Sequence, residues 1–417
     1  MAQIDYRSFL RRGDRIVVSQ MSGEPLALTR QLVAQRHELE DIEVFIGVLN
    51  DTGFTPMSAD RLRFRSFGAM GNARPLHAAG ALGIVPISLG RIGTAILDGA
   101  VGCDVALVQL TPTSDPDLFG FGVTCDYMRA AIDRARVVVA EINSAVPRMA
   151  GTEFVRRDEI DILIDSDRPP PQLPARAPRE LDRLIAANVT DLIEDGATLQ
   201  VGIGGVPDAL LGAIGDRRNL GYHGGMLSDG IAALMQSGAL MNSRKAIDPG
   251  ESVTAMISGS RELFRFVDGN PRISLRSSTY TNDVATIAAQ SRFVAINSAL
   301  EVDLTGAVNA ESIGGKHIGG TGGLPDFAMG AAAAQGGRSV IALSSTAAGG
   351  TGTRIVARLN GPVTVPAYLA DVIATEFGRA ELRGKSLRER ALALIAIAAP
   401  HARDALRAEA RHAGFLC

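Results

Sequence analysis

A twelve-residue phrase occurs twice in this 417-residue chain. Gly202-Ile203-Gly204-Gly205-Val206-Pro207-Asp208-Ala209-Leu210-Leu211-Gly212-Ala213 returns as Gly320-Thr321-Gly322-Gly323-Leu324-Pro325-Asp326-Phe327-Ala328-Met329-Gly330-Ala331. The copies share a G-x-G-G-x-P-D core and a Gly-Ala pair four residues after the aspartate. The first copy follows the apolar run Ala197-Thr198-Leu199-Gln200-Val201 and opens the apolar stretch from Ala209 to Ile214. That order predicts strand, glycine turn, helix start. Glycine tolerates φ > 0 and lets a ligand approach bare main chain, and Gly323 is expected to need that conformation. The first N–H groups of a helix lack intrahelical partners and attract negative charge. Two copies therefore predict two facing main-chain donor loops, of the kind that hold an oxyanion or a phosphate.

The rest of the chain supplies the frame for those loops. Its length favours two domains over one core. Five prolines crowd the fourteen residues from Asp165 to Pro178 and interrupt all apolar periodicity, which predicts an extended, semi-rigid linker. The expected division is a first domain over 1–165, a linker over 166–179 and a second domain over 180–417. Short β-rich runs appear at 15–18, 42–46, 105–110 and 137–142, then at 199–201, 252–257, 293–296 and 340–343. Helical patterns such as Ala27 to Glu38 and Tyr127 to Arg134 separate them. Buried strands alternating with helices predict an α/β class with open, mainly parallel sheets. Each domain should begin with a strand–glycine-turn–helix unit.

Composition excludes more than it assigns. A net charge of −3 argues against nucleic acid as the main partner. No run of eighteen apolar residues occurs, and Met1 to Asp14 is polar, so neither a membrane span nor a signal peptide is expected. Cys103, Cys125 and Cys417 have no metal-like spacing; a reduced, cytoplasmic setting and no metal are expected. Cys125 has the chemistry of a nucleophile, but a free cysteine in an apolar segment is expected to fill core.

At this point the chain resembles a known family. The phrases Ala197 to Ala209, Ile296-Asn297-Ser298-Ala299-Leu300-Glu301-Val302-Asp303-Leu304-Thr305-Gly306, Gly322 to Phe327, Ala374-Thr375-Glu376-Phe377-Gly378 and Leu382 to Ala391 are similar to those of the acetyl-CoA hydrolase/transferase branch of the class I coenzyme A transferases. A looser likeness continues through Ser22-Gly23-Glu24-Pro25, Cys103 to Leu107 and Glu141-Ile142-Asn143. The resemblance implies two CoA-transferase-type domains packed face to face and coenzyme A as part of an acyl-CoA substrate. A small second substrate and a homodimer or higher homo-oligomer are also implied. It implies further that the N–H groups of Ile203 and Gly323 form an oxyanion hole, with Gly202, Gly204, Gly205, Gly224, Gly225, Gly320 and Gly322 lining the substrate.

The family's chemistry meets an exception here. Its members attack the thioester with a glutamate from a His-(Ser/Thr)-Glu-Met phrase, giving an anhydride and then a glutamyl-CoA thioester. The matching phrase is His223-Gly224-Gly225-Met226, flanked by Leu220-Gly221 and Ser228-Asp229-Gly230. Gly225 stands at the nucleophile's place, and glycine has no side chain to attack with. Glu301 lies where the family tolerates glutamine and is expected to be structural. Glu376 resembles a residue lining the acyl pocket and is a candidate general base; a hydrogen-bonded structural glutamate is the competing reading. Asn282, in Tyr280-Thr281-Asn282-Asp283, resembles an asparagine that orients the acyl group. His223 is a candidate that titrates near neutrality, against a backbone-bonded role. Arg354 and Lys385 are candidates for CoA, or else solvated charges. An arginine usual before Asp371-Val372 is replaced, the segment reading Val365-Pro366-Ala367-Tyr368-Leu369-Ala370. Three readings stay open: an acyl-CoA enzyme delivering the acyl group to water or another small nucleophile, or using lyase or decarboxylase chemistry; a CoA-transferase with a displaced nucleophile; and a non-catalytic CoA-binding subunit.

Overall fold

A computed structural model describes residues 3–51, 53–173, 176–347, 350 and 352–416. Cys417 and the linker residues Pro174 and Ala175 lie outside the described residues. Two sheets carry the chain. The first places Ile162–Ser166, Val137–Asn143, Val105–Pro112, Arg15–Val18, Ile42–Phe45, Leu62–Ser66 and Leu82–Ile84 side by side, all parallel. Leu118–Gly120 and Phe154–Arg156 extend it as an antiparallel flap. Strands such as Val105–Pro112 and Val137–Asn143 are buried nearly throughout, as helix cover on both faces requires.

The second sheet runs Gly378–Glu381, Val372–Thr375, Arg338–Ala342, Phe293–Asn297, Thr198–Val201, Gly221–Leu227, Ser252–Ile257, Ile273–Leu275 and Gly151–Thr152. Only the pair of Val372–Thr375 with Gly378–Glu381 is antiparallel. One pairing crosses the division expected from the sequence: Gly151–Thr152, from the 1–165 segment, pairs with Ile273–Leu275 as an edge of the second sheet. A core cluster likewise runs through both halves, joining Ile92 and Tyr127 to Leu199, Tyr222 and Met256. The segment between Ser166 and Glu180 has neither helix nor strand where it is described, but it is docked. Leu173 N–H donates to Gly259 O at 2.9 Å, and Arg168 pairs with the buried Glu141 at 3.3 Å.

Each sheet reverses strand order at an interior strand. In the first, Arg15–Val18 lies between strands that continue the chain in opposite directions; in the second, Thr198–Val201 does. In open α/β sheets the crevice beyond the strand ends at such a reversal is the customary ligand place. In the second sheet the glycine turn at 202–205 occupies it.

Candidate active site

Thr198–Val201 ends in the first glycine turn, and the helix Gly205–Ala213 begins there with Gly204 as its N-cap at φ 123°. Only glycine adopts that conformation without strain. Gly202 N–H is held by Ile296 O at 2.8 Å. Below the turn, Gln200 and Asn297 exchange amide hydrogen bonds of 3.1 and 2.9 Å, tying the two strands at the reversal. Ile203, between Gly202 and Gly204, is 55% exposed. Gly205 has its own constraint, since a Cβ there would lie 2.5 Å from Asp182 Oδ2.

The second turn follows the small hairpin of Ser312–Ile313 and Lys316–His317 and caps the helix Leu324–Ala333. The positive φ expected at Gly323 belongs instead to Gly322 (φ 52°); Gly323 has φ −92°. Gly323 is glycine for want of room, because a Cβ there would stand 2.5 Å from Asn282 Nδ2 and 3.0 Å from Phe327 Cε2. This turn is built against the first domain. Gly320 bridges Gly68, Ala69 N–H donates to Gly319 O at 2.9 Å, and Leu89 N–H donates to Gly322 O at 2.8 Å. The Thr321 hydroxyl donates to Ile87 O at 2.6 Å.

Gly221–Leu227 is the strand next to the first turn and carries the nucleophile phrase. Its alternation sends His223 and Gly225 to one face and Gly224 to the other. Gly224 is buried against Tyr222, whose hydroxyl oxygen would lie 2.8 Å from a Cβ. Gly225 is only half-buried. A Cβ there would meet Phe327 at 3.8 Å and Asn282 Oδ1 at 4.0 Å, ordinary contact distances. The structure thus brings Gly225, Asn282 and Gly323 together. Asn282 is 2% exposed, closing the short helix Ser278–Thr281.

The other candidates fall elsewhere. His223 is fully buried, with Nε2 2.9 Å from Thr281 O and Nδ1 without a partner. Burial first, and Lys245 second, pull its pKa down to about 4. Of the two roles weighed for His223, the geometry fits the backbone-bonded one and not titration near neutrality: the ring packs beneath the helix end that bears Asn282. Glu376, in the turn between Val372–Thr375 and Gly378–Glu381, accepts from Ser345 N–H at 2.9 Å and from the Ser345 hydroxyl at 2.6 Å. Arg354 joins this group through its backbone, its N–H donating to Ser345 O at 2.9 Å. Its Nε is buried without a partner, and burial with nearby Arg179 lowers its pKa. Lys385 is exposed in the loop before the helix Leu387–Ile397. Glu301 accepts from Asn309 Nδ2 at 3.2 Å across its hairpin, a structural pairing. Cys103 and Cys125 are buried, and burial pushes the Cys103 thiol up to about 12 and that of Cys125 well above its usual value. Neither is a thiolate nucleophile. Among the described residues no cluster of three or more His, Cys, Asp or Glu side chains suits a metal ion, and no helix is long and apolar enough to cross a membrane.

Sequence reasoning passed over three residues of this site: Phe327, Asp326 and Gly90. Asp326 Oδ2 accepts from Asn282 Nδ2 at 3.2 Å and from Gly90 N–H, in the first domain, at 3.0 Å. The recurring Pro-Asp of the repeated phrase was the available signal for Asp326. Nothing local marked Gly90.

Comparison with known proteins fits this architecture. The acetyl-CoA hydrolase/transferase N-terminal domain model matches residues 4–174, and the C-terminal domain model matches residues 259–410. The 4-hydroxybutyrate coenzyme A transferase of Clostridium kluyveri is 36% identical over 409 residues, covering 96% of this chain and 95% of that protein. The succinyl-CoA:cyclohexane-1-carboxylate CoA transferase of Geobacter metallireducens is 33% identical, covering 98% and 94%. Among solved structures, RipA from Yersinia pestis superposes with a TM-score of 0.93 at 31% identity, over 98% of this chain and 96% of that one. A 4-hydroxybutyrate CoA-transferase from Porphyromonas gingivalis gives 0.81 at 32% identity, over 98% and 95%. With relatives this similar over nearly its whole length, the chain belongs to the acetyl-CoA hydrolase/transferase family and is an enzyme of acyl-CoA transferase/hydrolase type.

Proposed function

We propose that this enzyme binds an acyl-CoA and delivers its acyl group to a small nucleophile without a covalent glutamyl intermediate. The observation that carries the reading is the setting of Gly225. A Cβ at this position would stand 4.0 Å from Asn282 Oδ1 and 3.8 Å from Phe327, the residues that also pack on Gly323, so a carboxylate here would reach the site, and glycine offers none. In this reading the main-chain N–H groups of Ile203 and Gly323 receive the carbonyl oxygen as it becomes an oxyanion. Each such donor is worth about 3 kcal/mol of transition-state stabilisation. The same pair serves an enolate, so cleavage of an acyl-CoA by lyase or decarboxylase chemistry belongs to the same proposal. Arg354 is the cation we assign to the anionic part of CoA.

A transferase with a displaced nucleophile is less well supported, because the two carboxylates considered for that part are engaged. Glu376 is gripped by Ser345 through two hydrogen bonds, and Glu301 is tied to Asn309. Incubation with acetyl-CoA followed by hydroxylamine or borohydride should leave every glutamate unmodified in peptide mass spectra. A CoA adduct or reduced side chain at Glu376 or Glu301 would restore the transferase.

A further inference from the structure

The space over Gly225 is bounded by a hydrogen-bonded chain that crosses between the two domains. Asp326, 3% exposed, takes the Gly90 N–H and the Asn282 amide nitrogen on one oxygen. With Nδ2 committed to Asp326, the Asn282 amide must turn Oδ1 the other way. There the Thr281 hydroxyl donates to Oδ1 at 2.9 Å, which uses one of the two lone pairs of an amide oxygen. Oδ1 also faces Gly225, 4.0 Å from where a Cβ would stand. The ring of Phe327 walls the same space, with carbons 3.8 and 4.0 Å from that point. Gly323 lies against the nitrogen end of the same amide.

We propose that Asn282 Oδ1 holds the attacking water in the space left by the missing side chain at Gly225. Asp326 is a positioning residue that keeps the amide turned. The acceptor is then water, and the reaction is acyl-CoA hydrolysis. This rests on the reading above, that the chain handles acyl-CoA without a nucleophilic carboxylate. The water oxygen forms the new C–O bond as the carbonyl electron pair moves onto oxygen at the second turn. Collapse breaks the C–S bond, and a proton from the water goes to the departing sulfur, giving a carboxylic acid and the CoA thiol. An asparagine oxygen orients a water without removing its proton, so the contribution is one of alignment.

The test is turnover of acetyl-CoA by the full chain in ¹⁸O-labelled water, with and without butyrate. One labelled oxygen per acetate, unchanged by butyrate, is expected. Asn282→Ala should lower kcat about thirtyfold with KM changed less than about threefold. Asp326→Ala should fall in the same way, while Asp326→Asn, which can still present an oxygen to Asn282, should recover most of the rate. Calorimetric CoA binding by each variant establishes that it is folded. Labelled acetate formed at full rate by folded Asn282→Ala and Asp326→Ala overturns the assignment of the water while leaving the acyl-CoA reading intact. CoA passed to butyrate with no label in acetate overturns the underlying reading itself.

Discussion

At Gly225 the backbone is ordinary strand, and a methyl group there would touch Phe327 and Asn282 at normal contact distances. Neither backbone conformation nor crowding demands a glycine, in contrast to Gly224, which Tyr222 crowds. A larger residue can therefore be restored without rebuilding the strand. Gly225→Glu is expected to fold, to bind CoA and to gain measurable CoA transfer between acetyl-CoA and a carboxylate acceptor. A folded, CoA-binding Gly225→Glu protein without transfer would show that the surrounding pocket has also moved away from transferase geometry. His223 gives a second prediction at this scale. Its pKa is depressed from 6.5 to about 4 by burial, so below pH 6.5 the unfolded chain takes up a proton that the folded chain refuses. The contribution of neutral His223 is present above pH 6.5 and is lost as pH falls toward 4. Gln has an amide nitrogen near the place of Nε2 and does not titrate. His223→Gln should keep the bond to Thr281 O and show a shallower loss of Tm between pH 6.5 and 4. Equal slopes would mean that His223 is already protonated in the folded protein.

The two glycine turns share a sequence phrase but do different mechanical jobs as elements. Position by position they agree in one respect, since Gly204 and Gly322 have positive φ with nothing near a Cβ, while Gly205 is crowded by Asp182 as Gly323 is by Asn282. The second is also pressed against Phe327 and the first domain. Gly323→Ala should push the Asn282 amide aside and misaim the N–H beside it. Turnover should drop about a hundredfold, since a fixed donor tolerates little displacement, while CoA affinity changes much less. Steady-state kinetics beside calorimetric CoA binding separates the two effects; an unchanged rate in the folded variant would remove Gly323 from the site. Eight central strands, from Arg15–Val18 to Arg338–Ala342, and the place of the two glycine turns were legible because apolar runs and glycines act within a few residues. Strands such as Leu62–Ser66, Ile162–Ser166 and Val372–Thr375 were not named. Asp326 to Gly90 was not, for that contact spans 236 positions and leaves no local pattern. Gly151–Thr152 is too short an edge strand to show alternation. The environment of His223 was hidden too, since its partners come from 280–281, 293 and Lys245.

At the scale of the whole molecule, the halves meet through buried polar groups as well as the shared core. Asp126 is fully buried at that seam. Its backbone bridges Ser277 and accepts from Ser278 N–H at 2.9 Å, and Cys125 N–H reaches Ala255 O at 3.1 Å. The Asp126 carboxyl accepts from the Gln20 amide, and its Oδ1 has no partner. Burial raises its pKa to about 7, against the opposing hydrogen bond from Gln20. A carboxyl whose folded pKa lies above its unfolded value of 3.8 favours the folded state in its neutral form. That contribution is full below pH 3.8 and is lost as pH rises toward 7. Asp126→Asn keeps the shape, accepts the positive φ of 46° that asparagine tolerates well, and removes the ionisation. The variant should match the native protein in Tm near pH 4 and exceed it by about 3 °C or more at pH 8, with the gap opening through the range between. Scanning calorimetry across that range reads the effect directly. A gap that is constant with pH would mean that Asp126 does not change charge at the seam between pH 4 and pH 8.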